Sequence, residues 1–211
     1  NMVGRVGDDA FGPGLVENLA KLGVGIERLR VEKGLSSGTA LIIVDDQGEN
    51  RIIVIPGANK KVAPEDVNLA LPMIKSADYL LMQFEIPLST VEYGIDMAKT
   101  HGLRVILNPA PAQTIQPEIL QKVDHLILNE VEASMLTGKL VSDIESAKAA
   151  TRDLLKRGAG VVALTLGRQG VIIASADDCQ HVPAFPVKAV DTTAAGDAFI
   201  GGFTVALSEG K

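Results

Sequence analysis

The chain has 211 residues, which is enough for one α/β domain with a sizeable hydrophobic core. Its net charge of −6 argues against nucleic-acid partners and anionic membrane surfaces, and no apolar run is long enough to span a membrane. Cys179 is the only cysteine, which excludes an internal disulfide framework and predicts a reducing, cytoplasmic location.

Helical and strand-like patterns alternate along most of the chain. Helices are predicted over residues 11–22, 90–101, 195–207 and from a cap at Ser142 to residue 157. Strands are predicted over residues 39–44, 51–55, 79–83, 104–107, 125–128, 161–165, 171–174 and 184–190. This order predicts a single α/β domain, residues 1–211, with a mostly parallel central sheet and helices on both faces.

The strands at 39–44 and 51–55 interrupt this alternation, because a short polar loop that contains Gly48 joins them as in a β-hairpin. The pattern by itself is typical of an edge hairpin. Just before it, residues 34–38 match the G-x-S-x-G pattern of hydrolases. That pattern requires a helix after the serine, and a β-run follows instead, so we reject a nucleophilic Ser36.

The segment 191–197, with the sequence DTTAAGD, carries the clearest chemical signal. It opens the last predicted helix, whose first free N–H groups would point outward from Ala194, Ala195 and Gly196. Such groups favour an anion, and Asp197 would stand beside it in the first turn. This arrangement suits a base that deprotonates a hydroxyl while amides stabilise a phosphoryl group. An ordinary acidic helix start has the same spacing.

This segment resembles the D-T-x-G/A-A-G-D motif of the ribokinase, or PfkB, carbohydrate kinase family. Further blocks resemble ribokinase members in the same order: GRVGDDAFG at 4–12, QFE at 83–85, NPAPA at 108–112, NEVE at 129–132 and TLGRQG at 165–170. The resemblance implies a ribokinase-like fold, in which the hairpin at about 38–56 forms a small β lid over the sugar. It also implies an ATP-dependent kinase that converts D-ribose to D-ribose 5-phosphate and releases ADP.

The resemblance further implies a role for each motif residue. Asp197 is the expected catalytic base and a substrate contact, and the expected anion hole comprises Ala194, Ala195 and Gly196. The expected ATP-binding residues are Asn129, Thr165, Leu166, Gly167, Arg168, Gln169, Gly170 and Gly196. Glu132 is expected to hold Mg²⁺ through water. Asp191 and Thr193 are expected to hold an activating K⁺, and Glu85 is expected to bind ribose.

Spacing alone leaves other interpretations open at these positions. Asn129 and Glu132 would share one face of a helical turn, but a helix cap followed by a solvated glutamate has the same spacing. The segment 165–170 is also typical of a tight turn between two strands. Glu85 could be an ordinary charged strand end, although a carboxylate at the carboxyl edge of a sheet can accept two hydroxyls of a polyol.

Members of the family begin with a strand that carries a sugar-binding aspartate and continue past the last helix. These segments are not among the 211 residues, so we expect a domain that is incomplete at both ends and has little activity by itself. Two alternatives remain open: another PfkB-family sugar or nucleoside kinase, or a catalytically inactive nucleotide- or sugar-binding fragment. The residues do not decide the oligomeric state, for which a homodimer is one option.

Overall fold

The computed structural model describes residues 1–44 and 50–211. Its strands are β1 (Val3–Gly7), β2 (Arg28–Glu32), β3 (Thr39–Val44), β4 (Asn50–Ile55), β5 (Tyr79–Met82), β6 (Arg104–Leu107), β7 (His125–Asn129), β8 (Val161–Thr165), β9 (Val171–Ala174) and β10 (Cys179–Val182). Its helices are α1 (Gly12–Lys21), α2 (Pro64–Leu69), α3 (Leu71–Ile74), α4 (Leu88–Thr100), α5 (Pro117–Leu120), α6 (Glu130–Thr137), α7 (Ile144–Lys156) and α8 (Ala195–Ser208).

These elements fall into two compact units. The first comprises Asn1–Ser76 and Glu85–Gly94, and the second comprises Ala77–Phe84 and Ile95–Lys211. The single domain expected from the sequence stays a prediction. Within residues 1–44 and 50–211, no helix has both the length and the apolar composition that crossing a bilayer requires.

In the first unit, a buried charge network ties α2 to a two-stranded parallel sheet of β1 and β2. Asp66, in the first turn of α2, is 2% exposed. Its carboxylate accepts hydrogen bonds from Arg5 Nε at 2.9 Å and from an Arg30 guanidinium nitrogen at 3.0 Å. Arg5 also pairs with Glu32 at 2.6 Å. The pairing matters because a buried carboxylate is tolerated only with compensating charge and hydrogen bonds.

The predicted hairpin is present in the first unit as a separate antiparallel pair. β3 and β4 pair from Thr39 opposite Ile55 to Val44 opposite Asn50. The predicted connecting loop, residues 45–49, lies outside the described residues. Side chains on both strands are about half exposed, including Leu41 at 54% and Val54 at 53%. β3 and β4 form a two-stranded sheet of their own, and within residues 1–44 and 50–211 neither pairs with a strand of another sheet.

The second unit contains a six-stranded sheet in the order β10-β9-β8-β7-β6-β5. The four strands β5 to β8 are parallel, whereas β9 pairs antiparallel with β8 and β10 pairs antiparallel with β9. This confirms the predicted α/β fold with a mostly parallel sheet. The central strands are continuous apolar runs, as expected for strands that are buried on both faces.

The core of the second unit covers both faces of this sheet. On one face, Ile127 lies in a cluster with Ile106 and Ile200, against which Phe199 and Phe203 of α8 pack. Successive side chains of a strand point to opposite faces, so Leu126 and Leu128 lie on the other face, and both are essentially unexposed. Burying each such side chain contributes about 1.5–3 kcal/mol.

The predicted strand at 184–190 is wrong. No strand covers these residues, and the side chains of Phe185, Val187 and Val190 are 88%, 80% and 95% exposed. Pro186 interrupts the apolar run, and proline cannot donate a hydrogen bond to a neighbouring strand. The apolar pattern was therefore not sufficient to form a ladder here.

Helix α8 begins after a strained residue. Ala194 is its N-cap and has a φ of 58°, the left-handed conformation. For a residue with a Cβ, this conformation costs roughly 1–2 kcal/mol. The turn brings Ala195 N–H to Thr192 O at 3.1 Å and sets the direction in which the helix starts.

We predict that Ala194→Gly raises the free energy of unfolding by about 0.5–1 kcal/mol, because glycine relieves the steric strain but loses more backbone entropy on folding. Urea denaturation of the variant and the wild type measures this difference. Ala195→Gly is the matched control: Ala195 is helical, so the same substitution should lower stability. An equal loss of stability in both variants would contradict the conclusion that Ala194 is strained.

Candidate active site

Three polar residues mark one edge of the large sheet. Asn108 follows β6, Asn129 ends β7 and Thr165 ends β8. The three strands are parallel neighbours, and Asn129 is paired directly with Thr165. Their carboxyl ends therefore meet at the same edge, which is where open α/β sheets bind ligands.

Asn129 and Glu132 form a reciprocal cap at the start of α6. Glu132 N–H donates to Asn129 Oδ1 at 2.9 Å, and Asn129 N–H donates to Glu132 Oε2 at 3.0 Å. The Asn129 side-chain amide also donates to Glu132 Oε1 at 3.0 Å. The helix-cap interpretation of this pair is thus correct, but Glu132 is 7% exposed and not solvated. The cap holds a buried carboxylate at the sheet edge.

Asn108 is a site residue for which the sequence predicted no role. It is 8% exposed, and its amide donates to Ile127 O at 2.9 Å and to Glu132 Oε2 at 3.3 Å. Burial raises the pKa of Glu132, and the hydrogen bonds from Asn129 and Asn108 offset only part of this effect. An asparagine directly after a buried strand and before a proline was the signal available in the sequence.

The N-terminus of α8 offers free hydrogen-bond donors. The predicted free N–H group at Ala195 is wrong, because it is already bonded to Thr192 O, and Ala198 N–H is bonded to Ala194 O. Within the described parts of the chain, no acceptor bonds to the N–H groups of Gly196 and Asp197. Helix N-termini with free N–H groups favour anions. Two amides of the first turn are thus available to a ligand.

These features share one cavity of about 220 Å³ in the second unit. Its lining comprises Asn108, Ala110, Ile127, Leu128, Asn129, Glu132, Thr165, Thr192, Ala194, Ala195, Gly196, Asp197, Phe199 and Ile200. The structure thus brings the predicted base, the predicted anion hole and the N-x-x-E pair together. The Asp197 side chain stands in the first turn of α8, as predicted.

Asp191 and Thr193 precede this cavity in the chain, and neither is among its lining residues. Asp191 Oδ1 accepts a hydrogen bond from Thr193 N–H at 2.8 Å, and this bond lowers the pKa of the Asp191 carboxyl. Both residues are exposed. The carboxylate orders the loop that leads into the helix start.

The segment 165–170 forms a compact turn between β8 and β9, so the tight-turn interpretation is correct. Leu166 N–H donates to Gly170 O at 2.8 Å, and Gly167–Gln169 form a 3₁₀ turn. Gly170 has a φ of +96°, and a Cβ there would lie 2.0 Å from Val182 O. The lack of a side chain at Gly170 therefore makes room for the protein's own backbone at Val182. Only Thr165 of this segment lines the cavity.

Glu85 belongs to the first unit and lies in a different cavity there. This cavity has a volume of about 170 Å³, and its other lining residues are Gly38, Thr39, Ala40, Val54, Ile55, Pro56 and Asn59. Four of them belong to β3 and β4. The predicted sugar-binding carboxylate and the predicted lid hairpin therefore meet in one place.

The chemistry of the donor set limits how a metal ion could be held. Within residues 1–44 and 50–211, no three His, Cys, Asp or Glu side chains cluster as metal ligands. Mg²⁺ in phosphoryl-transfer sites keeps several waters and needs only one or two carboxylates besides the substrate phosphates. Glu132, whose two oxygens already accept hydrogen bonds, fits contact through a water molecule.

Comparison with known proteins places these features in a family. All 211 residues match the profile of the pfkB family carbohydrate kinases. The chain is 39% identical to a deoxyribokinase of Salmonella typhi, with 96% of the chain and 66% of that protein covered. It is 40% identical to a ribokinase of Schizosaccharomyces pombe, with 100% of the chain and 68% of that protein covered. The chain thus spans about two thirds of the length of these relatives.

Solved structures agree with this assignment. The structure of Arabidopsis thaliana ribokinase complexed with ribose and ATP matches with a TM-score of 0.88 at 32% identity, covering 99% of this chain and 69% of that one. The fold is therefore ribokinase-like, as the sequence predicted. The chain belongs to the pfkB family of carbohydrate kinases.

Proposed function

We propose that the protein is an ATP-dependent kinase that phosphorylates the 5-hydroxyl of D-ribose, giving D-ribose 5-phosphate and ADP. One observation carries this proposal: the Asp197 carboxylate shares a cavity with the free first-turn amides of α8 and with Asn129 and Glu132. Family membership supports the reaction class, and relatives named ribokinase support the sugar.

Asp197 would act as the general base. As the sugar hydroxyl oxygen attacks the γ-phosphorus, its proton passes to the Asp197 carboxylate. The new O–P bond forms while the bond from the γ-phosphorus to the bridging oxygen breaks, and ADP leaves with that oxygen. An exposed carboxylate in the first turn of a helix is open to a substrate hydroxyl.

The anion hole would stabilise the transferring phosphoryl group. Negative charge on this group would face the N–H groups of Gly196 and Asp197 and the positive end of the α8 dipole. Ala195 would contribute differently, because its N–H group closes the turn onto Thr192. Ala194 and Ala195 would therefore act by shaping the hole and leaving room for the phosphoryl oxygens.

Asn129 and Glu132 would serve the nucleotide phosphates and their metal ion. Mg²⁺, when bound with ATP, would neutralise negative charge on the phosphates. Glu132 would hold the hydrated ion through water, and Asn108 and Asn129 hold the Glu132 carboxylate in place. We further propose that the turn at 165–170 lies along the nucleotide, because its first residue, Thr165, lines the cavity.

Glu85 would select the sugar. Its carboxylate can accept hydrogen bonds from two hydroxyls of a polyol, and it lines a small cavity with both strands of the lid. A second candidate substrate is 2-deoxyribose, because the named deoxyribokinase is as similar to the chain as the ribokinase is. The homodimer stays one option for the oligomeric state, and the cytoplasmic location stays a prediction.

A coupled assay of ADP release over a panel of sugars and nucleosides tests the proposal. The panel contains ribose, 2-deoxyribose, other pentoses, hexoses and nucleosides. Highest kcat/KM with ribose supports the proposed reaction, whereas preference for another member of the panel identifies a different PfkB-family kinase. Binding of sugar or ATP without turnover indicates an inactive binding protein.

We predict that Asp197→Asn lowers kcat by about 10²–10⁴-fold and leaves ATP affinity nearly unchanged, because the substitution keeps the shape and removes the proton acceptor. Steady-state kinetics and calorimetric titration with ATP measure the two quantities. Glu209→Gln, at the other end of α8, is the matched control and should retain activity. If the Asp197→Asn variant retains more than half of the wild-type turnover, Asp197 is excluded as the general base.

Glu85→Ala should raise the KM for the sugar about tenfold or more, because a hydrogen bond to a charged group contributes roughly 1.5–3 kcal/mol. The KM for ATP should stay nearly constant. Glu65→Ala removes an exposed carboxylate from the same unit and serves as the control. Equal loss of sugar and ATP affinity would assign Glu85 to another subsite.

We also propose that Asp191 and Thr193 contribute to a K⁺ site. A monovalent cation there would act through the geometry of the loop before α8, which the Asp191–Thr193 hydrogen bond already orders. We expect higher activity in potassium chloride than in sodium chloride at the same ionic strength. Equal rates in the two salts, measured with ribose and ATP at saturation, would contradict this assignment.

A further inference from the structure

Two segments that the proposed reaction leaves without a role, residues 4–12 and 34–37, meet at the Asp9 carboxylate. Asp9 Oδ1 accepts hydrogen bonds from Gly12 N–H at 2.9 Å and from Ser37 Oγ at 2.8 Å. Asp9 Oδ2 accepts a hydrogen bond from Ser37 N–H at 2.8 Å. One carboxylate therefore ties the start of α1 to the segment that leads into β3.

Ser37 is 1% exposed, and its side chain is fully engaged. Its Oγ donates to Asp9 and accepts from Gly7 N–H at 3.0 Å. Burial acts to raise the pKa of Asp9, but the hydrogen bonds from Ser37 and Gly12 outweigh it and lower that pKa. Loss of the Asp9 carboxylate would leave the N–H and O–H groups of the buried Ser37 without an acceptor, so Asp9 holds Ser37 in one geometry.

A second set of contacts fixes the backbone of the same segment. Ser36 O accepts a hydrogen bond from Ala58 N–H at 2.8 Å. Gly57 approaches so closely, at a φ of +50°, that a Cβ there would lie 2.3 Å from Ser36 O and 2.6 Å from Ser37 O. Residues 36–37 are thus held both by Asp9 and by the turn at Gly57.

The fixed segment leads directly into the cavity that Glu85 lines. Gly38, Thr39 and Ala40 are three consecutive lining residues. Thr39 Oγ1 also donates to Ser37 O at 3.2 Å. A displacement of Ser37 would therefore be transmitted to one wall of the cavity and to the root of the lid hairpin.

We propose that Asp9 is a positioning residue for sugar binding: through Ser37 it fixes the wall formed by residues 38–40 and thereby sets sugar affinity. The inference rests on the proposed function in one respect, that this cavity binds the sugar. Asp8 provides a contrast in the same loop. Its exposed carboxylate bonds Gly34 N–H at 2.9 and 3.0 Å, and Ser37 is not among its described partners.

The experiment compares Asp9→Asn, Ser37→Ala and Asp8→Asn in the protein as its gene encodes it. Sugar and ATP are varied separately, and a thermal melt is recorded for each variant. We expect Asp9→Asn and Ser37→Ala to raise the sugar KM about tenfold with the ATP KM within about twofold, because each substitution weakens a part-buried hydrogen bond. Asp8→Asn should change neither KM. In the Asp9→Asn/Ser37→Ala double variant, the sugar KM should rise little above that of the more impaired single variant, because both substitutions act through the same contact.

Three outcomes would overturn the inference: equal rises in both KM values, an unchanged sugar KM in the folded Asp9→Asn and Ser37→Ala variants, or the same sugar effect in Asp8→Asn. If Asp9→Asn does not fold, Ser37→Ala provides the same test, and failure of both to fold would assign Asp9 to fold stability alone. If the wild type does not use ribose, the proposed function fails separately. The preferred sugar of the panel then replaces ribose in this comparison.

Discussion

The parallel pairing of β6, β7 and β8 is the constraint on which the candidate site depends. Because these strands run in one direction, Asn108, Asn129 and Thr165 reach the same edge of the sheet. Their register is set by the core: a shift of β7 by one residue would exchange Ile127 with its neighbours on the opposite face. The apolar residues that stabilise the sheet therefore also determine which polar residues meet.

Helix α8 is part of this core, and we propose that its first turn is also a binding site. Ile200 and Phe203 pack against the sheet, whereas the first turn of the same helix leaves two N–H groups free. Burial of these apolar side chains contributes several kcal/mol, which outweighs the strain of the left-handed residue at Ala194. The helix can thus present unsatisfied donors at the cavity because its anchorage lies one turn further on.

The sequence predicted the central strands well, because continuous apolar runs such as 125–128 have few alternatives to burial. It predicted the start of a helix less precisely where two neighbouring residues could each serve as the cap. The cap predicted at Ser142 lies one residue later, at Asp143, whose carboxylate accepts a hydrogen bond from Ser146 N–H at 2.7 Å. β1 was not predicted, because glycines interrupt its pattern. The contacts of Asn108 and Asp9 join distant segments, which no local pattern contains.

The buried carboxylates of the molecule differ in how their charge is compensated, and this difference bears on function. Asp66 has two arginines, and its pKa is lowered despite burial. Glu132 is also buried, but its described partners are neutral amides, and its pKa is raised. No Lys, Arg or His in residues 1–44 and 50–211 forms an ion pair with Glu132. On the proposed function, a cation that arrives with the nucleotide would compensate the Glu132 charge, and relief of the burial cost would then contribute to binding of the metal-bound substrate.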